Sequence, residues 1–203
     1  KLAVLRQYFG FPAFRAGQQT LIDAVLSGRD ALGVMPTGGG KSLCYELPAL
    51  LLPGMTLVVS PLISLMKDQV MALRNAGIPA GCINSSMSLD ELRETYSDAR
   101  YGAYKLLYVA PERLLTDGFC ALAQELEISQ WGQDFRPSYL KIVEFLQRLP
   151  RRPAVAAFTA TATAQVRADI IRILQLHEPE TVVTGFDRPN LRFEVLRPKD
   201  KRT

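Results

Sequence analysis

Histidine and cysteine are scarce in this chain, and each shortage argues against a class of chemistry. His177 is the only histidine in 203 residues and reads as a surface or helix-end residue, which argues against a histidine-based catalytic triad. Cys44, Cys82 and Cys120 are odd in number and widely spaced. They match neither a zinc-ligand spacing nor a disulfide framework, which points to a reducing compartment. No apolar run is long enough to span a bilayer, and no signal peptide is visible. Internal repeats and low-complexity tracts are also missing. The charge excess is small, +4 with a pI near 9.1, which permits a polyanionic partner without requiring one. The length suits one α/β domain able to bury its own core. The chain opens at Lys1 without Met and closes on a basic run after Arg197, so both ends read as cut from something longer.

What is present centres on Met35-Pro-Thr-Gly-Gly-Gly-Lys-Ser42. It lies between an apolar strand, residues 31–34, and a helix expected over 41–51. Thr37, Gly38, Gly39 and Gly40 allow a tight turn that brings backbone N–H groups onto phosphate oxygens. The helix adds its positive end. Lys41 supplies a cation for the outer phosphates, and the Ser42 hydroxyl is a Mg²⁺ ligand. The usual G-x-x-x-x-G-K-[ST] spacing has Met35 at its first position here. The bland alternative is a Gly-rich turn before an ordinary helix.

Upstream, Phe9 to Gln18 carries aromatic, guanidinium and amide groups. Such groups hold a nucleobase by stacking and by two-point pairing with adenine, although phenylalanines that pack helices explain the same residues.

Downstream, strands are expected at 55–60, 80–83, 106–110, 155–158, 181–184 and 191–196. Helices are expected at 61–75, 88–99, 116–127, 137–148 and 163–176. Ser88-Leu-Asp-Glu91 is a capping box. Alternating strands and helices predict a mostly parallel central sheet covered on both faces, with ligands at the C-terminal strand ends. The phosphate loop, Ser60-Pro61, residues 110–113 and Thr159-Ala-Thr161 all fall at those ends.

Seven blocks occur in order: residues 9–18, 35–42, 59–69 (VSPLISLMKDQ), 108–114 (YVAPERL), 129–139 (SQWGQDFRPSY), 158–163 (FTATAT) and 186–190 (FDRPN). Together they resemble the first lobe of a RecQ-family helicase of superfamily 2, with a RecA-like P-loop NTPase fold. The resemblance implies an ATP-dependent 3′→5′ DNA helicase that uses ATP and Mg²⁺ on single-stranded and duplex-junction DNA. The arginine that reaches the γ-phosphate would come from a second RecA-like lobe of the same parent chain.

It implies roles by position. Phe11, Arg15 and Gln18 read adenine. Lys41 and Ser42 are the catalytic and metal-side contacts. Ser60, Pro61, Lys67, Gln69, Pro111 and Arg113 face the DNA strand. Gln130, Trp131, Phe135 and Arg136 form an aromatic-rich loop that couples DNA contact to hydrolysis. Thr159 and Thr161 link the two sites. The first lobe would span residues 1–185, and 186–203 would begin the linker to the second. Such a protein would be nucleoid-associated in a bacterium and nuclear in a eukaryote.

One element is missing. The family carries an apolar strand ending in Asp-Glu-Ala-His before the aromatic-rich loop, whereas here Ile128 runs straight into Ser129. That strand is expected beside the phosphate-loop strand, and its loss to wreck the sheet. Either about ten residues are missing at this junction, or the chain is a nucleic-acid-binding pseudo-ATPase. A small-molecule P-loop kinase would explain Lys41 and Ser42 but not the aromatic block.

Overall fold

The computed structural model describes residues 1–126, 128–134 and 139–185, with backbone only at 131, 133, 134 and 139. Seven strands form one sheet: β1 (Ala31–Val34), β2 (Met55–Val59), β3 (Ala80–Ile83), β4 (Leu106–Val109), β5 (Ile128–Asp134), β6 (Ala154–Thr159) and β7 (Glu180–Val183). Their order is β3-β4-β2-β5-β6-β1-β7, and every pair is parallel. The expected architecture is therefore present, and all-parallel pairing requires helical cover on both faces.

The cover follows from alternation along the strands. Leu57, Val59, Leu107, Val109, Val155 and Ala157 belong to one core cluster. They meet α5 (Leu89–Arg100), α6 (Asp117–Glu125), α7 (Tyr139–Arg148) and α8 (Ala164–Ile173). Val58, Leu106, Tyr108, Ala156 and Phe158 belong to the opposite cluster. These pack on α2 (Gln18–Leu26), α3 (Leu43–Leu51) and α4 (Ile63–Asn75). A short α1 (Leu2–Phe9) closes over α2 and α3 through Leu5, Ile22, Leu43 and Leu47.

Asp30 joins the sheet at its N-terminal edge. It is 2% exposed. Its carboxylate accepts from Arg152 (2.6 and 3.1 Å), Val155 N (2.8 Å) and His177 N (2.7 Å). His177 itself is exposed just beyond α8.

Helix signals read from sequence recur with small shifts. Ser88 and Glu91 form the reciprocal capping box, and Thr163 accepts from Val166 N. Helix α3 begins at Leu43 rather than 41, because residues 41–42 form the closing turn of the phosphate loop. Helix α4 begins at Ile63 rather than Pro61. The strand expected at 191–196, and the blocks at 135–138 and 186–190, lie outside the described residues.

The largest correction concerns residues 128–134. They were expected to form a polar loop, yet they are the central strand β5, between β2 and β6. Nor does this slot adjoin the phosphate-loop strand, because β6 separates β5 from β1. A parallel sheet closed on both faces has one vacancy between β2 and β6, and backbone pairing fills it despite an unfavourable sequence. The strain is local. The register slips where Met55 pairs Ile128 and Thr56 pairs Gln130, leaving Ser129 as the extra residue of a bulge. The parity change puts Ile128 against the α5–α8 face. Gln130 and Gly132 meet Tyr45 of α3 on the other face.

Candidate nucleotide site

A cleft of about 880 Å³ opens at the C-terminal ends of β1, β2 and β6. Four groups of residues separated in sequence converge on it: Phe11, Arg15 and Gln18; the 37–42 loop; Ser60 and Gln69; and Thr159 and Thr161.

The loop geometry explains its glycines. Gly38 and Gly40 have φ of +78° and +82°, a region that side chains strain to enter. A Cβ on Gly39 would sit 2.8 Å from the Pro36 carbonyl oxygen, and one on Gly40 would sit 2.3 Å from Gln18 Nε2. Lys41 Nζ donates to the carbonyls of Met35 (3.0 Å) and Pro36 (3.3 Å). The ammonium is thereby folded over the concavity that phosphate oxygens would enter. Ser42, at the N-cap of α3, points its hydroxyl at Gln69, whose Nε2 donates to it at 3.2 Å. This set of N–H groups, ammonium and hydroxyl fits a polyphosphate with a hard cation.

The adenine-side residues divide in role. Phe11 is 47% exposed at the cleft mouth, free to stack, whereas Phe9 and Phe14 pack on the small core cluster. Arg15 donates to the Gly38 carbonyl. Gln18 is 2% exposed; its Oε1 accepts from Arg15 N (2.8 Å) and its Nε2 donates to Gly40 O (3.0 Å). Gln18 thus clamps the loop as well as bordering the cleft.

The DNA-side candidates fall in different places. Ser60 is 5% exposed and lies in the nucleotide cleft, because the end of β2 points there. Gln69 also faces the cleft, between Ser42 and Tyr45, because its place on α4 turns it toward α3. Gln130 is fully buried, donating to Tyr45 O at 2.6 Å, so it cannot touch DNA in this arrangement. Pro111 is buried in a 3₁₀ turn, and the Arg113 Nε beside it donates to Asn84 O (3.2 Å). Lys67 is exposed on α4 and Pro61 is half-buried. The Trp131 backbone is in β5, while Phe135 and Arg136 lie outside the described residues. Thr159 Oγ1 donates to Thr161 O (3.1 Å), tying together the turn after β6.

Among the described residues no group of three or more His, Cys, Asp or Glu side chains is placed to hold a metal ion. Three buried side-chain atoms have no hydrogen-bond partner there: Thr56 Oγ1, Ser60 Oγ and Gln130 Oε1. Sequence reading missed Tyr45, Tyr108 and Glu46 altogether. Burial pushes the Glu46 carboxyl up to about 7 and the Cys44 thiol up to about 12. Only the packing of α3 on β4 reveals them, since each reads locally as an ordinary helix or strand residue.

A Gly-Lys-Ser loop at the C-terminal edge of an all-parallel sheet defines a P-loop nucleotide-binding domain of the RecA-like class. The DEAD/DEAH box helicase family model matches residues 15–170, and the chain belongs to that family. It is 46% identical to the ATP-dependent DNA helicase RecQ of Bacillus subtilis over 98% of this chain and 36% of the relative. For the RecQ proteins of Pasteurella multocida and Haemophilus influenzae the identities are 45% and 44%, over 96% and 100% of this chain and 32% and 35% of theirs. The chain thus spans about a third of the length of the curated relatives it matches. Those alignments run over 211, 206 and 216 positions. The shares of this 203-residue chain that they cover are about 199, 195 and 203 residues, so at least about 11 to 13 of their positions have no residue here. The fold is shared with the helicase MrfA bound to DNA (TM-score 0.72, 17% identity, 89% of this chain and 28% of that one). It is shared also with the Pyrococcus furiosus Hef helicase domain (TM-score 0.67, 18% identity, 88% and 39%). No helix among the described residues is long and apolar enough to cross a membrane.

Proposed function

We propose that this chain is the ATP-binding lobe of an ATP-dependent 3′→5′ DNA helicase of the RecQ type, DNA-associated in the cell. The observation that carries this reading is the convergence of Phe11, Arg15, the Gly38–Ser42 loop, Thr159 and Thr161 on one cleft. Phe11 would stack on adenine, and Arg15 and Gln18 would hold the loop against it. The backbone N–H groups and Lys41 would bind the phosphates, and Ser42 would ligate Mg²⁺. Bound Mg²⁺ supplies charge neutralisation on the phosphates. The chain's own part is to orient the nucleotide and leave its outer phosphate open toward a second lobe.

The parent helicase has a further segment between Ile128 and Ser129, carrying the acidic pair that positions the attacking water. Three observations support this. The relatives have about 11 to 13 more positions than this chain offers. The sheet register slips at Ser129. A glutamine with an unpaired carbonyl occupies the central strand. With the segment in place, residues 129–134 would be released from the sheet, and Trp131, together with Phe135 and Arg136, would meet DNA beside Lys67 and Arg113. The chain as it stands binds nucleotide without efficient turnover.

Titration with a fluorescent ADP analogue in the presence of Mg²⁺ tests the cleft. Saturable binding that Lys41→Ala weakens about 10- to 100-fold is expected, since a charge-assisted contact contributes about 1.5–3 kcal/mol. No binding by the unaltered chain would remove the reading. Anisotropy of a labelled single-stranded oligonucleotide tests the second ligand, with affinity falling as salt rises.

A further inference from the structure

Beneath the phosphate loop, side chains from three elements form one continuous polar line. Gln69 of α4 donates from Nε2 to Ser42 Oγ at 3.2 Å. Its Oε1 accepts from Tyr45 Oη of α3 at 3.0 Å. The Tyr45 side chain in turn neighbours Tyr108 of β4, and its polar influence reaches the Tyr108 hydroxyl. Tyr108 Oη lies 3.5 Å from Glu46 Oε1, back on α3. Tyr45 and Tyr108 are 7% and 1% exposed, and Glu46 9%, so water does not interrupt the line. Ser42, Tyr45, Gln69 and Tyr108 all line the nucleotide cleft.

A proton count fixes the direction of the line. Each tyrosine has one hydroxyl proton. The Tyr45 proton goes to Gln69 Oε1. The Tyr108 proton is directed at Glu46 Oε1 and shared with Tyr45. Burial raises the Glu46 carboxyl. The amide of Gln69 is held in one orientation, with its N–H side toward Ser42. One lone pair of Ser42 Oγ is engaged, while its second lone pair and its proton remain for the cleft.

In this chain the packing under the line leaves it room. The Tyr45 ring lies 5.7 Å from Phe158, tilted by 55°. A Cβ on Gly132 would come within 3.1 Å of that ring, so glycine keeps the space that places Tyr45 Oη against Gln69.

We infer that Gln69 is a positioning residue for the cation-binding hydroxyl: the Glu46–Tyr108–Tyr45–Gln69 line holds Ser42 Oγ in the orientation that receives Mg²⁺ with the nucleotide. It also ties that hydroxyl to α4 and β4, whose cleft-side ends carry Pro61 and Pro111–Arg113. This inference rests on the nucleotide reading of the cleft and adds a role that composition and motif spacing do not contain.

The test measures affinity of the full 203-residue chain for a fluorescent ADP analogue, once with excess Mg²⁺ and once with EDTA. The unaltered chain, Gln69→Leu, Tyr45→Phe and the double variant are compared, with Lys41→Ala as control. Gln69→Leu should lower the gain in affinity due to Mg²⁺ by about three- to tenfold, the range of one net hydrogen bond, and leave EDTA affinity unchanged. Tyr45→Phe keeps the ring and its packing, and should act in the same direction by about two- to threefold. The double variant should be no worse than Gln69→Leu alone, because both cut one line. A full Mg²⁺ gain in Gln69→Leu, or strictly additive losses, overturns the inference. Equal losses with and without Mg²⁺ do so too, since they mark a merely structural residue. Should Gln69→Leu fail to fold by circular dichroism, the Tyr45→Phe comparison decides alone. If the unaltered chain binds no nucleotide, the reading of the cleft falls and this inference with it. If it binds, and Lys41→Ala is impaired while the Mg²⁺ gain survives Gln69→Leu, only the inference falls.

Discussion

Replacing Glu46 by Gln should change how stability depends on pH, and the structure sets the size of the change. The carboxyl is buried on α3 against Tyr108, with Cys44 two residues before it. Its titration point rises from an ordinary 4.5 to about 7 in the fold. The folded chain therefore holds this proton more tightly than the unfolded chain does. Its contribution is fully present below pH 4.5, declines as pH rises, and is gone above about pH 7. That rise corresponds to about 3 kcal/mol. Gln cannot ionise, and its amide keeps polar contact with the Tyr108 hydroxyl. Cys44 stays a thiol throughout, since burial holds it near 12. The remaining carboxylates are common to both proteins, so subtraction isolates Glu46. Urea denaturation followed by circular dichroism at half-unit steps from pH 4.5 to 8.5 gives the two curves. Glu46→Gln should gain up to about 3 kcal/mol on the unaltered chain between the two ends of that range. Parallel curves would mean that the carboxyl is hydrated or paired in the fold, and would refute the burial argument.

Asp30→Ala should cost about 3–5 kcal/mol in urea denaturation, because Arg152 and the amides of Val155 and His177 lose their shared acceptor; a loss below 1 kcal/mol would show that water replaces it. Gly132→Val drives a Cβ into the Tyr45 ring at 3.1 Å and should lower stability by about 1–3 kcal/mol, with the loss relieved in a Tyr45→Ala background; equal losses in both backgrounds would dissociate the two residues. Thr163→Ala removes the acceptor for Val166 N at the start of α8 and should cost about 1 kcal/mol, read as a shift in thermal midpoint. An unchanged midpoint would mean that the helix is capped by other means.

Local chemistry is written in the residues themselves. A glycine run before Lys41-Ser42 makes a phosphate loop wherever it follows a strand, because the turn needs positive φ at Gly38 and Gly40. Apolar strands alternating with capped helices specify a parallel sheet covered on both faces, and the Ser88–Glu91 and Thr163 caps act within four residues of sequence. These features were legible because their causes are short-range. The family was legible for another reason, the order of seven blocks.

The tertiary structure decided what depends on partners distant in sequence. Residues 128–134 read as a loop because their own polarity resists burial, yet a sheet with a vacancy between β2 and β6 recruits them as its central strand. The gain in backbone pairing outweighs a buried glutamine, and the mismatch remains visible as a bulge at Ser129 and an unpaired carbonyl at Gln130. Gln69 and Ser60 were assigned to the DNA strand by resemblance; helix rotation and strand direction place both on the nucleotide cleft. Glu46 carries no signal in sequence, since a glutamate in the first turn of a helix is commonplace. Its raised proton affinity comes from the absence of water where α3 packs on the sheet, and the hydroxyl of Tyr108, 62 residues away in sequence, works against it.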